Sequence, residues 1–162
     1  MEDLEQGMRE AALRDGAIAL SELLRKIPDS INEVLCPKCK QPMRNHGKRE
    51  KEITSLLGLG RISRIYYSCS TPGCNSYRIP KDELLDICNT SFSPGVRRLM
   101  ARAGCRESFE TARIDLKEYS GIEVSAKDVE RVAEAIGAAI EEKQIKERPK
   151  LLTQKPTPRI AE

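Results

Sequence analysis

Cys36 and Cys39 in the stretch VLCPKCKQPM, with Cys69 and Cys74 in YYSCSTPGCNSYR, spell C-x2-C-x29-C-x4-C. Thiolates in two such pairs can hold one zinc ion tetrahedrally, each sulfur about 2.3 Å from the metal. A C-x2-C turn lets two thiolates share one side of the ion, with nearby backbone N–H groups stabilising their charge, and the second pair closes the tetrahedron. Pro37 and Gly73 fit such knuckle turns. Four protein thiolates leave no position for water, so an ion held this way is structural rather than catalytic. Other readings of the thiols stay open. CPKC can be a redox dithiol, although the βαβ surroundings of that motif are missing, and the cysteines can be unligated and buried. His46, the one histidine, is either a replacement ligand or a solvent-facing or phosphate-contacting side chain on the first strand. Cys88 and Cys105 fall outside the pattern and read as small core residues.

For the pairs to meet, the chain between them must double back. KEITSLLGLGRISRIYYSC is consistent with two short strands near 51–57 and 61–68, joined by Gly58-Leu59-Gly60 as a three-residue connection. The segment is rich in Gly, Pro, Ser and β-branched residues and holds too little apolar material to fold alone, so it needs a staple.

Helical periodicity flanks this region. Before it, residues 3–27 place Leu20, Leu23, Leu24 and Ile27 on one stripe, weakened at Gly16 and ended by Pro28. That stripe suits a capping helix or a dimer contact, so a homo-oligomer is among the expected partners. After it come three stripes, Val96–Leu99–Met100–Ala103, Phe109–Ala112–Leu116–Tyr119 and Val129–Val132–Ile136–Ile140. Pro94 suits a first helical turn, and Ser125 with Asp128 resembles a capping box. The expected fold class is mostly α with a small β zinc ribbon. Its parts are an N-terminal helix (1–33), a β-hairpin zinc ribbon with its exit segment (34–91), a trihelical helix-turn-helix-like bundle (92–143), and a linker or disordered tail (144–162) carrying Pro149, Pro156 and Pro158.

The bulk numbers set bounds. A chain of 162 residues holds one ordinary domain or two small ones. With 33% charged and 39% hydrophobic residues, four Tyr, two Phe and no Trp, it suits modest helical cores. No apolar run approaches the roughly 20 residues that span a bilayer, and MEDLEQGMRE lacks the features of a signal peptide. No membrane partner is expected, and the expected location is cytoplasmic, where thiols ligate metal more readily than they pair.

Charge is segregated. Residues 36–106 hold 14 basic and 5 acidic side chains, whereas residues 1–35 hold 4 and 8, and residues 107–143 hold 5 and 10. A basic block of this kind attracts a polyanion, and double-stranded DNA is the expected partner. FETARIDLKEYSGIEVSAKDVERVAEAIG has a helix-turn-helix layout whose second helix would offer Lys127 and Arg131 to phosphate or guanine. Asp128, Glu130 and Glu134 oppose that use. Backbone contacts would come from Arg97, Arg98, Arg102 and Arg106, and from Arg44, Lys48, Arg49, Lys51, Arg61 and Arg64. The competing reading makes the three helices a packing module only.

The succession CPKC, MRNHGKRE, LLGLGRISRIYYSC, SFSPGVRRLMARAG, ESFETA and VSAKDVERVAEAIG, over about residues 34–143, resembles bacterial insertion-sequence transposases of the ISKra type. The resemblance implies a zinc-ribbon and helix-turn-helix region ahead of an RNase H-like domain, in which three acidic residues hold divalent metal for strand cleavage and transfer. Two features depart from it. The second pair is C-x4-C where a shorter knuckle is commoner, and PTPRIAE stands about where the first catalytic strand would begin. Asp82, Asp86, Asp115 and Asp128 match no catalytic motif, so no catalytic residue is assigned and the chain is not expected to be an enzyme. The implied role is the DNA-binding N-terminal portion of a transposase, recognising element ends, with one structural zinc. A standalone zinc-ribbon regulator and a protein-interaction adaptor are the alternatives.

Overall fold

The computed structural model describes residues 1–29 and 33–153. They form five helices and a small antiparallel sheet. The helices are α1 (Glu2–Lys26), α2 (Pro80–Leu84), α3 (Pro94–Gly104), α4 (Phe109–Ser120) and α5 (Ala126–Thr153). The strands β1 (Met43–Ser55), β2 (Gly58–Cys69) and β3 (Tyr77–Arg78) lie in the order β1-β2-β3. No helix among the described residues is long and apolar enough to cross a membrane.

The hairpin is longer than its sequence suggests, and its turn lies elsewhere. Ser55 pairs with Gly58, so the connection is Leu56-Leu57 rather than Gly58-Leu59-Gly60. Ser55 secures it, its hydroxyl accepting from Leu57 N and donating to the Gly58 carbonyl, while Gly58 takes the positive φ of 108° that a glycine tolerates. Gly60 lies past the turn, on β2. It faces α1, where an added Cβ would lie 3.7 Å from Ser21 Oγ and 3.9 Å from Leu20 Cδ2, and Ser21 Oγ accepts from Arg61 N there. At the other end of the hairpin the register slips between Asn45 and Lys48, leaving an extra residue at His46-Gly47 opposite Tyr66. Bulges of this kind bend and twist a ribbon.

Helix α1 packs on the hairpin along Gly16, Ala17, Leu20 and Leu24, with Ala17 buried, while Leu13 reaches Gly121. Leu23, expected on that stripe, is exposed, and Gly16 sits on it, with the Leu57 side chain 3.5 Å from where its Cβ would be. The Arg9 guanidinium donates to the Glu118 and Tyr119 carbonyls at the end of α4, groups that a helix C-terminus leaves without partners.

The three later helices enclose the largest core, made of Phe92, Val96, Met100, Ala112, Leu116, Ile122, Val129 and Val132. Ser93, Ser108 and Ser125 each accept a backbone N–H at a helix start, as short polar side chains there do. Gly121 closes α4 in the left-handed conformation. Tyr119 and Ile140, expected in these stripes, are exposed. Helix α5 also runs on through residues 144–153, where a linker was expected; residues 154–162 of that expected tail lie outside the described residues. The hairpin is tied to this core through Phe92: Thr54 N donates to the Ser91 carbonyl and Ser93 N to the Thr54 carbonyl.

Candidate metal centre and the charged sheet face

The paired strands bring the two cysteine loops together at the end of the hairpin away from its turn. Met43 pairs with Cys69, and each loop folds around its own thiols. In the first, Lys40 N donates to the Cys36 carbonyl and Cys36 N to the Gln41 carbonyl. Lys40 holds φ at 61° to make that return, an unusual conformation for a residue with a Cβ. In the second, Cys74 N donates to the Thr71 carbonyl, with Pro72 and Gly73 at the corner and Gly73 at φ 78°. That is the arrangement of a type II turn.

The sulfurs of Cys36, Cys39, Cys69 and Cys74 all lie within 4.8 Å of one another. Cys36 Sγ is 3.6 Å from Cys74 Sγ, and Cys39 Sγ is 3.4 Å from Cys69 Sγ. A tetrahedron with 2.3 Å metal–sulfur bonds has edges of about 3.8 Å, so the donor set and its spacing fit one zinc ion. The surroundings favour thiolate. Backbone N–H groups of Cys39 and Lys38 outweigh burial at Cys36 and bring its thiol down to about 6. The Thr71 hydroxyl and the Gln41 N–H lower Cys39. At Cys69 the Thr71 hydroxyl and N–H also pull downward, but burial and the neighbouring Cys39 and Cys74 thiols push the group above its ordinary value. Val34, Met43 and Tyr67 pack around the cluster.

His46 does not join it; its Nε2 lies 2.6 Å from Ser68 Oγ on the exposed side of the ribbon. Cys88 and Cys105, expected in cores, are exposed.

The basic residues divide into two groups. Arg64, expected as a DNA contact, instead lies with its side chain 14% exposed and its Nε 3.2 Å from Asp82, whose carboxylate also takes Lys51 Nζ at 3.1 Å. Arg97 is likewise engaged, donating to the Asp86 carboxylate and carbonyl. Both therefore already hold the local counter-charge that a buried or half-buried cation needs. Arg61 pairs with Glu52 and Arg131 with Asp128, all at the surface. Arg44, Lys48, Arg98, Arg102, Arg106 and Lys127 are exposed and have no side-chain ion pair or hydrogen bond among the described residues. Arg49 is also exposed and lies over the Tyr66 ring, 4.4 Å from its centroid.

Sequence reasoning missed Asp82 as the partner of Lys51 and Arg64, and Thr71 as a support for the Cys39 thiol. Asp82 carried no local signal, since its partners are 31 and 18 positions away in sequence; Thr71 lies inside the C-x4-C loop and was legible as a hydroxyl near the cysteines. Neither the protein-family models nor the curated proteins compared with this chain match it.

Proposed function

We propose that the chain is a DNA-binding unit in which a zinc ribbon stapled by Cys36, Cys39, Cys69 and Cys74 presents basic side chains to duplex DNA beside a helix-turn-helix-like bundle. It would serve as the DNA-binding N-terminal portion of a transposase and perform no catalysis itself. The observation that carries this reading is the position of the thiol cluster, at the base of a ribbon whose outer strand bears Arg44, Lys48 and Arg49, all exposed. Bound zinc would supply a fixed, redox-inert cross-link between the two cysteine loops. The chain's own residues then do the binding. Arg44, Lys48 and Arg49 would contact phosphates, as would Arg98, Arg102 and Arg106 on and after α3. Lys127 and Arg131, at the start of α5, would be the pair closest to base edges. The transposase role rests on the motif succession alone.

Titration of a labelled duplex at several salt concentrations tests the reading. Phosphate contacts make log affinity fall linearly with log salt, and each cation removed should reduce that slope by about 1. Replacing Arg44, Lys48 and Arg98 with Ala should therefore weaken binding on every duplex sequence. Absence of duplex binding at low salt would sink the proposal and favour an adaptor, for which the exposed Ile140 and Ile145 on α5 offer a surface.

A further inference from the structure

Three side chains, one from each strand, form a row across one face of the sheet. Alternation puts Arg64, Tyr66 and Ser68 on the same side of β2. The register sets Arg49 opposite Arg64 and Tyr77 opposite Ser68, so Tyr66 has a diagonal neighbour on either side, within reach of long side chains. Arg49 lies over the Tyr66 ring at 4.4 Å. Tyr77 stacks on the same residue with centroids 5.7 Å apart and planes 16° from parallel. His46 meets Tyr66 edge-on at 6.1 Å.

The placement is informative because aromatic residues are scarce here. The chain has four Tyr and two Phe, and the helical core uses both Phe. Two of the four Tyr are spent on a stack at the surface, where Tyr77 remains 52% exposed and donates its hydroxyl to Asn89 Oδ1. Cross-strand aromatic pairs stabilise a sheet modestly, and this one also leaves Tyr77 half open to solvent.

Beside Tyr77 the face falls into an open cleft of about 590 Å³, floored by Lys51, Arg64 and Asp82 and rimmed by Asn89, Thr90 and Arg131. Asp82 is neutralised by Lys51 and Arg64, and Asp128, also on this cleft, is paired with Arg131. Three cations thus stand against two carboxylates, and Arg44, opposite Ser68, extends the positive charge along the same face of β1. Rings flanked by cations suit a strand whose bases are free to stack and whose phosphates need counter-charge. A base inside a duplex has its faces covered already, so the ring surface selects unpaired ones.

We propose that Tyr77, backed by Tyr66 and Arg49, forms a stacking platform for unpaired bases of single-stranded DNA, the adjoining cleft and Arg131 receiving a flanking phosphate. The proposal rests on the DNA-binding reading above and narrows its substrate to DNA with an unpaired segment.

The test uses the full, zinc-loaded chain with a labelled oligo-dT of about 12 nucleotides, within the span such sites cover, and a duplex of equal length. Polarisation gives both affinities, and intrinsic Tyr emission, which no Trp obscures, reports stacking. Oligo-dT should bind at least as tightly as the duplex and quench Tyr emission. Tyr77→Leu should weaken oligo-dT binding about tenfold while duplex binding is kept, and Tyr77→Phe should restore it. The retained duplex affinity shows that Tyr77→Leu has folded. Unchanged oligo-dT affinity in both Tyr77→Leu and Tyr66→Leu, with duplex binding intact, would overturn the platform and leave duplex recognition standing. Binding to neither DNA would remove both.

Discussion

The Lys51 ammonium sits 3.1 Å from the Asp82 carboxylate, with the two side chains only 13% and 6% exposed. Lys51 also donates to the Ile87 carbonyl at 2.7 Å, and Arg64 shares the same carboxylate. Two cations from paired strands therefore depend on one acid delivered by α2. Removing that acid leaves both charges under-solvated. Asp82→Ala should cost about 3–5 kcal/mol, the usual penalty for breaking a buried pair from one side. Urea unfolding measures it, and a loss below about 1 kcal/mol would mean that water reaches the site.

Metal content gives the next prediction. Purified protein should release close to one zinc per chain on thiol modification, and Cys36→Ser or Cys74→Ser should abolish retention. Cys88→Ser and Cys105→Ser should leave it unchanged, because both thiols stand outside the cluster. Plasma emission spectrometry on dialysed samples decides this. Full retention in Cys36→Ser would refute the four-thiol centre.

Acidity should act on the metal-free hairpin through Cys36. Its thiol falls from an ordinary 9 to about 6 on folding, chiefly through the Cys39 N–H. A group lowered in the folded state stabilises fully above its unfolded value and loses that contribution as pH falls through the folded one. Zinc-free protein should therefore melt higher at about pH 8 than at about pH 6. Cys69, pushed up, acts in the opposite sense above its ordinary range, so the gain should level off in alkali. Thermal melts in chelator give the curve, and a higher midpoint at the acidic end would contradict it.

Gly104 is a packing position. A Cβ there would lie 3.1 Å from Val129 Cγ1 and 3.3 Å from Ala133 Cβ, and neither neighbour has a flexible end to swing aside. Alanine improves helix propensity by up to about 1 kcal/mol, whereas overpacking a closed contact costs about 1–3 kcal/mol. Gly104→Ala should be net destabilising by about 1 kcal/mol, the difference between those terms. A stabilised variant in denaturant titration would show that α3 and α5 can move apart.

Local chemistry made much of this legible. The cysteine spacing announced a meeting of thiols, and Ser125 with Asp128 announced a helix start, because both signals are complete within a few residues. The three later helices were readable from their stripes, yet Tyr119 and Ile140 fell outside the core, since periodicity marks a face without saying how far the neighbouring helix reaches. Gly58 and Gly60 look like hairpin glycines, yet the strands stay paired up to Ser55 and Gly58 and the turn is Leu56-Leu57. Arg64 could not be told from an exposed arginine such as Arg44. Its fate is set by Asp82, and nothing in the intervening sequence says that the two will meet.

The cysteine loops also decide how the ribbon carries load. The chain enters the hairpin at Cys36–Cys39 and leaves it at Cys69–Cys74, and these four sulfurs converge at the same end. Once an ion bridges them, tension drawn between α1 and the helices beyond the sheet crosses from one loop to the other through metal–sulfur bonds. The β1–β2 ladder then hangs beside the line of force rather than within it. Pulled from its flanks, the strand bearing Arg44, Lys48 and Arg49 would keep its register until the thiolate links gave way.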